Sequence, residues 1–154
     1  MVYAVIRVRG IVNVKPDIKK TLQLLRLSRV NHCVIIKEND VNKGMLQVAK
    51  DYVTWGEVNK ETLSKLLESR GMLIGNNPLT EDHLKQSTSL KSVEALAGEI
   101  VGEKMEWKDI PEAKPVLRLH PPRKGYEGIK RSYVNGGALG YRGKDINVLI
   151  EKML

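Results

Sequence analysis

The stretch VYAVIRVRG, residues 2–10, opens the chain as a strand, and the rest of the predicted fold is arranged around it. Ala4, Ile6 and Val8 point to one face of this strand, and the residues between them point to the other. Alternation of this kind, in residues that are mostly apolar and β-branched, is typical of a strand. The sequence therefore predicts a strand from Val2 to Arg9.

A helix follows the loop after this strand, with Pro16 in its first turn. Proline suits that turn because its nitrogen has no hydrogen to leave unpaired, and Asp17 places a negative charge near the positive helix end. Ile18, Leu22 and Leu25 then recur at helical spacing. The next segments are a strand at His32–Glu38, a helix at about Val41–Lys50 with Asn39 or Asp40 as its cap, and a strand at Tyr52–Val58. The pattern from Met1 to Val58 thus predicts a β-α-β-α-β core.

Residues 59–154 predict a mostly helical segment. Its helices run from Asn59 to near Gly71, from a cap at Thr80, from Val93 to about Gly102, and from Asp145 to the end. Alternation over Lys114–His120 predicts one added strand. Two prolines follow that strand and end it, because neither can donate to a ladder hydrogen bond. A loop rich in Gly, Arg and Lys is expected from there to Gly143.

The charge of the chain is divided into three blocks. The whole chain carries +8. Residues 1–58 carry a net +5, residues 59–113 a net −3, and residues 114–154 a net +6. Basic ends around an acidic middle indicate that the two ends share a polyanionic partner, and nucleic acid is the commonest one. Excess lysine that only maintains solubility is the alternative.

The composition excludes several classes of protein. Hydrophobic residues make up 42% and charged residues 29% of the chain, which argues against a disordered or fibrous protein. The longest apolar runs fall far short of the roughly 20 residues that a membrane span needs. A single cysteine cannot form an internal disulfide, which favours a reducing compartment. We expect a soluble, intracellular, basic globular protein.

No pattern of residues indicates catalysis, a cofactor or a metal. His32, His83 and His120 lie in different predicted elements, without the short spacing of a zinc site. Cys33 lies within an apolar strand, where a thiol is inert. The segment YRGK at 141–144 falls short of a phosphate-binding loop, which would need Gly at position 138 and Ser or Thr at 145. The chain has Ala and Asp there.

The segment PPRKGYEGIKRSYVNGG, residues 121–137, is the strongest candidate for binding. It interleaves four cations with Tyr126, Tyr133 and several glycines. Such a segment can bring its backbone close to phosphates, pair with them and offer aromatic rings to bases. A flexible, solvated loop is the alternative interpretation.

Six segments resemble one known family, the large-subunit ribosomal proteins called L-thirty in bacteria and archaea and L-seven in eukaryotes. The segments are VIRVRG (5–10), TLQLLRL (21–27), YVTWG (52–56), LLESRG (66–71), PLT (78–80) and VNGGALGYRGKDIN (134–147). The short bacterial form would cover only about residues 1–58, and residues 59–154 would be the extension of archaeal and eukaryotic members. The long basic N-terminal arm of eukaryotic members is missing, so the archaeal type fits best.

The resemblance implies a ferredoxin-like core sheet with helices on one face, in agreement with the βαβαβ pattern. Together with the mostly helical extension and its added strand, this predicts an α+β fold. The resemblance also implies a non-catalytic, cytoplasmic component of the ribosome, without cofactors or membrane contact. Its partners would be large-subunit ribosomal RNA, neighbouring ribosomal proteins and, as a further candidate, 5S RNA. An RNA-processing enzyme and a protein-interaction module remain as alternatives.

Two surfaces are expected to contact RNA. By the resemblance, the first surface surrounds the first strand–helix connection and comprises Arg7, Arg9, Lys15, Lys19, Lys20, Arg26 and Arg29. Lys19 and Arg26 are separated by about 10 Å along one helix face, so they can reach successive phosphates. The second surface is the loop at 121–144, with Arg123, Lys124, Lys130, Arg131, Arg142 and Lys144. For Arg26, an ion pair with a neighbouring carboxylate is the alternative.

Overall fold

The strand at Val2–Arg7, β1, lies in the middle of one six-stranded sheet in the computed structural model, which describes all 154 residues. The other strands are β2 (His32–Lys37), β3 (Val53–Glu57), β4 (Leu117–Arg118), β5 (Gly128–Ser132) and β6 (Gly137–Tyr141). They stand in the order β4-β2-β1-β3-β6-β5. β1 runs antiparallel to β2 and β3, with Val5 opposite Val34 on one side and Trp55 on the other. The predicted α+β fold with a βαβαβ core is confirmed.

Helices cover both faces of the sheet. They are α1 (Pro16–Leu24), α2 (Asp40–Ala49), α3 (Lys60–Arg70), α4 (Glu81–Ser87), α5 (Val93–Val101) and α6 (Ile146–Met153). The two core helices α1 and α2 share one face, as expected, where Leu22 and Leu46 pack with Val5 of β1. Leucines and isoleucines of the extension helices pack on the other face against Ala4 and Ile6. The extension therefore covers the face of the core sheet that α1 and α2 leave open.

Side-chain caps start four of the helices. Asn39 and Asn59 each accept a hydrogen bond at 2.7 Å from the backbone N–H three residues further on. Thr80 accepts one at 3.3 Å in the same way, and Ser92 caps α5. A cap supplies a partner to an amide at the first turn that would otherwise have none. These local bonds explain why the helix starts at residues 40, 60 and 81 could be predicted closely.

The segment from residue 114 to residue 143 differs most from its prediction. Only Leu117–Arg118 pairs with β2 as a strand; Leu119 N–H still donates to the Asn31 carbonyl at 3.1 Å, and His120 N–H then turns to the Met153 carbonyl at 3.0 Å. The expected loop after it contains β5 and β6, and β6 pairs in parallel with β3, which lies far earlier in the chain. Gly137 makes the approach of β5 and β6 possible, because a Cβ there would overlap the carbonyl oxygen of Arg131. A pairing this distant leaves no local periodicity to detect.

We expect Leu22→Ala to destabilise the fold by about 2–5 kcal/mol, since it opens a cavity between α1 and the sheet. Leu22 is 1% exposed, whereas Leu24 in the same helix is 65% exposed. Leu24→Ala is the matched control and should change the free energy of unfolding by no more than about 0.5 kcal/mol. Urea denaturation of both variants measures the difference. Equal losses would contradict the packing of α1.

Stability should fall as the solution becomes alkaline. Burial raises the pKa of the Cys33 thiol from 9.0 to about 12, and burial also raises the pKa of the Tyr126 phenol. The folded state therefore holds both groups neutral, while the unfolded chain releases their protons at the ordinary pKa. The contribution of the thiol is complete below about pH 9 and is lost as the pH rises toward 12, by about 1.4 kcal/mol per pH unit, whereas that of the phenol is lost only above about pH 10. Urea denaturation at pH 8, 9 and 10 measures the slope.

The variant Cys33→Ala isolates the thiol. It lacks the ionisable group, so its free energy of unfolding should fall less steeply between pH 9 and pH 10 than that of the parent. The comparison uses the slope with pH and is independent of any uniform loss of stability from the smaller side chain. Identical slopes would show that the thiol ionises equally in the folded and unfolded states.

Candidate nucleic-acid interface

The first predicted surface is built from the loop after β1, from α1 and from the turn that follows α1; we call it the α1 surface. Its exposed cations are Lys15, Lys19, Lys20, Arg26 and Arg29. Arg9 is partly buried, with its guanidinium 5.0 Å from the centre of the Tyr52 ring. The side chain of Arg9 also donates at 3.4 Å to the carbonyl oxygen of Asp51. Six of the seven predicted cations are thus exposed or partly exposed on the loop before α1, on α1 and on the turn after it.

Arg7, the seventh, lies inside the protein with only 4% of its surface exposed. Its guanidinium donates to the carbonyl oxygens of Arg9, Leu27 and Gly10 at 2.9, 2.7 and 3.0 Å. Burial lowers its pKa from the ordinary value, although an arginine keeps its proton in proteins. Arg7 therefore ties the loop after β1 to the turn after α1. Its structural effect is to position the α1 surface.

The second predicted surface lies around β5, the last strand in the sheet order; we call it the β5 surface. Its exposed cations are Arg123, Lys124, Lys130, Arg131 and Lys144. All five residues of β5 are exposed, and only one edge of this strand is paired. The other edge of β5 borders no strand, so backbone N–H groups that point outward there can donate to phosphate oxygens.

Arg142 was expected on this surface and is buried, 5% exposed. Its guanidinium donates to the Thr54 hydroxyl at 2.9 Å and to the Ala138 carbonyl at 3.0 Å. It also stacks on the Tyr133 ring at 4.9 Å and lies 3.6 Å from the carboxylate of Glu127. Like Arg7, this arginine holds strands and turns together beneath a basic surface.

The aromatic rings of the basic segment are engaged within the protein. The Tyr126 hydroxyl donates to the Asn31 side chain at 2.6 Å. The Tyr133 hydroxyl donates to Asp145, and this bond is the main cause of the raised Tyr133 pKa. Tyr141 remains 49% exposed, with its ring centroid 6.4 Å from that of Trp55. Tyr141 is therefore the most accessible ring near the β5 surface.

A groove of about 440 Å³ at the β4 edge was not indicated by the sequence. It is lined by basic side chains from four separate segments: Arg26, His32, Lys114 and Arg118. Each of these residues stands alone among apolar or neutral neighbours in the sequence. Only the pairing of β2 with β4 brings His32 and Arg118 side by side.

Other kinds of site find little support. No group of three or more His, Cys, Asp and Glu side chains is placed to hold a metal ion. Cys33 is fully buried, with its pKa raised to about 12. No helix combines the length and the apolar composition that crossing a membrane would require.

Comparison with known proteins identifies close relatives. A sequence model of the family described as ribosomal protein L30p/L7e matches residues 3–53. A large ribosomal subunit protein uL30 of Methanocorpusculum labreanum is 54% identical over 98% of this chain and 99% of its own length. The uL30 proteins of Thermoplasma volcanium and Methanococcus vannielii are 52% and 53% identical, over 98% and 100% of this chain and 92% and 100% of their own lengths.

Removal of the Arg7 charge should destabilise the fold. Arg7→Gln removes hydrogen bonds to three carbonyl oxygens, and we expect a loss of about 2–4 kcal/mol in the free energy of unfolding. Arg29→Gln is the matched control, because Arg29 is exposed and forms no ion pair; its effect should stay within about 0.5 kcal/mol. Chemical denaturation measures both. A stable Arg7→Gln variant would refute the positioning role of Arg7.

Proposed function

The chain belongs to the ribosomal protein L30p/L7e family, and from this premise we propose that it is held in the large ribosomal subunit by binding ribosomal RNA through the α1 surface and the β5 surface. It is a non-enzymatic protein of that subunit, so it is located in the cytoplasm on the ribosome. We propose both the contact with ribosomal RNA and the residues that make it.

One observation carries the proposal: the exposed cations of the two surfaces have no acidic partners. None of the ten forms an ion pair, whereas the five lysines that pair with glutamates all lie elsewhere, at Lys37, Lys43, Lys65, Lys104 and Lys108. An unpaired cation is free to neutralise a phosphate and release a counterion. A surface that binds a polyanion needs cations without acidic partners. A surface that only keeps the protein soluble does not need them.

The mode of recognition follows from the geometry of RNA. An A-form helix hides its base edges in a deep, narrow groove, so a protein reads its shape, its phosphates and its 2′-hydroxyls. The α1 surface offers long flexible cations from α1, from a loop fixed by Arg7 and from the turn after α1. Arg26 lies in that turn with a φ of 61°, so the expectation that it shares a helix face with Lys19 is wrong, because the helix ends at Leu24. The β5 surface adds unpaired backbone N–H groups. Both are suited to a folded RNA backbone more than to particular bases.

We also propose a functional division of the chain at about residue 58. Residues 1–58 supply the α1 surface, and residues 114–154 within the extension supply the β5 surface. Residues 59–113 carry a net −3, which would repel phosphate, so we assign them to solvent and to neighbouring ribosomal proteins. A protein-interaction role for this acidic middle is thus compatible with RNA binding by the basic ends.

Binding to ribosomal RNA should depend on salt, and the β5 surface should account for part of that dependence. Arg123→Ala/Lys124→Ala should weaken binding and reduce the slope of log affinity against log salt by about two contacts. The folding free energy should change by no more than about 0.5 kcal/mol per site, because both side chains are exposed. The measurement is a titration of in vitro transcribed archaeal large-subunit ribosomal RNA at several salt concentrations.

The control is Lys85→Ala/Lys91→Ala, which removes two exposed cations from the acidic middle. It changes the net charge by the same amount and should leave the salt slope near the parental value. A titration with 5S RNA shows which ribosomal RNA the protein prefers. A titration with transfer RNA shows whether it prefers ribosomal RNA over an arbitrary polyanion. If both double variants keep the parental slope, the β5 surface is only solvated. If the parent binds ribosomal RNA no better than transfer RNA, the proposed function is wrong.

A further inference from the structure

The groove at the β4 edge differs from the two predicted surfaces in its shape and in its charge. It is a concave space of about 440 Å³ between the end of α1, the start of β2 and β4. Its polar lining consists of Arg26, His32, Lys114, Arg118, Gln23 and Ser28. No carboxylate lines it, and none of its four basic side chains takes part in an ion pair.

The backbone holds these groups in place. His32 and Arg118 are direct cross-strand neighbours, so their side chains leave the sheet together. The Ser28 hydroxyl lies 3.4 Å from Nδ1 of His32. Arg26 adopts a positive φ of 61°, which is unfavourable for a residue with a Cβ and must be maintained by the turn around it. The groove is therefore defined by the fold before any partner binds.

The charge in the groove is uncompensated. The pKa of His32 is lowered by burial in the first place, and then by the positive charges of Arg118, Arg29 and Arg7. The charged groups that face the imidazole thus come from β4, from the turn after α1 and from β1, and all of them are cations. Arg26 and Lys114 line the same groove, although Lys114 also donates to the side chain of Asn76. The groove therefore presents several cationic groups with no carboxylate beside them, which favours an anionic ligand.

We propose that this groove binds one backbone phosphate of the ribosomal RNA, with the guanidinium groups of Arg118 and Arg26 and a protonated His32 as its donors. The proposal rests on the proposed function. Continuity favours RNA over an acidic protein segment, because Arg26 belongs both to the groove and to the α1 surface. An RNA strand bound to that surface needs only to continue past the end of α1 to place a phosphate in the groove.

Binding of a phosphate in the groove should change the protonation of His32. A phosphate beside His32 favours the charged imidazole and raises its pKa, which opposes the effect of the surrounding arginines. Binding of RNA near pH 6.5 should then be accompanied by proton uptake. A contact made only by arginines and lysines would show no such uptake, since those side chains are already protonated.

The first experiment compares Arg118→Gln with Lys85→Gln in titrations of the archaeal large-subunit ribosomal RNA transcript. Both variants remove one exposed cation, but only Arg118 lines the groove. Arg118→Gln should weaken binding about three- to tenfold at about 0.1 M salt and reduce the salt slope by about one contact. Lys85→Gln should behave as the parent. Circular dichroism checks that each variant is folded, and Arg118→Lys should retain most of the salt slope because it keeps the charge.

The second experiment measures proton uptake by calorimetric titration at pH 6.5 in two buffers of different ionisation enthalpy. The parent and His120→Gln should take up protons on binding the transcript, and His32→Gln should not. Equal uptake by His32→Gln, or parental affinity and slope in Arg118→Gln, would overturn the groove proposal and assign the groove to another partner, such as an acidic protein segment. Preferential binding of ribosomal RNA by the parent would still stand in that case. Failure of the parent to prefer the transcript over transfer RNA would overturn both proposals.

Discussion

The burial of β1 on both faces is the constraint on which the rest of the structure depends. Every residue of Val2–Arg7 is buried, and the strand is paired along both edges. One face requires α1 and α2, and the other requires the helices of the extension. The βαβαβ core therefore has an apolar face that only the later part of the chain covers. This dependence explains why the extension is mostly helical and why its strands join the same sheet.

The last residue of β1 connects this core to the basic surface. Burial of a charge is costly unless polar groups compensate it, and Arg7 is compensated by three carbonyl oxygens. Carbonyl dipoles stabilise the guanidinium without cancelling its charge, as a carboxylate would. The charge thus still contributes to the positive potential outside, and it is among the causes of the lowered pKa of His32. The Arg7 side chain therefore positions the α1 surface and also adds to its positive electrostatic potential.

Local patterns predicted the parts of the fold that local interactions determine. Strand alternation, helical stripes and caps such as Asn39 indicated the elements of the βαβαβ core. The interleaved cations of residues 121–144 indicated the second basic surface, and the family resemblance indicated the first. The burial of Arg7 and Arg142 could not be predicted, because an arginine in a strand or a turn looks the same in sequence whether it meets solvent or carbonyl oxygens. Strands β5 and β6 and the groove were missed for a related reason. β6 and the groove depend on pairings between segments that are far apart in the sequence, β6 with β3 and β4 with β2. β5 pairs only with β6, so its position follows from that of β6.

The distribution of ion pairs fits a protein that is stable by its core and binds by its charge. An exposed ion pair contributes only about 0–1 kcal/mol, so the ten unpaired cations of the two surfaces cost the free protein little. In the proposed complex each of them would contribute more, because a cation that neutralises a phosphate also releases a counterion. The sheet order then determines where the basic and acidic blocks of the sequence lie in the folded protein. It joins the two basic ends of the chain through the pairing of β3 with β6, and it leaves the helices of the acidic middle on the face opposite α1. The separation of basic and acidic regions on the surface thus depends on the topology of the fold, because the composition alone does not determine it.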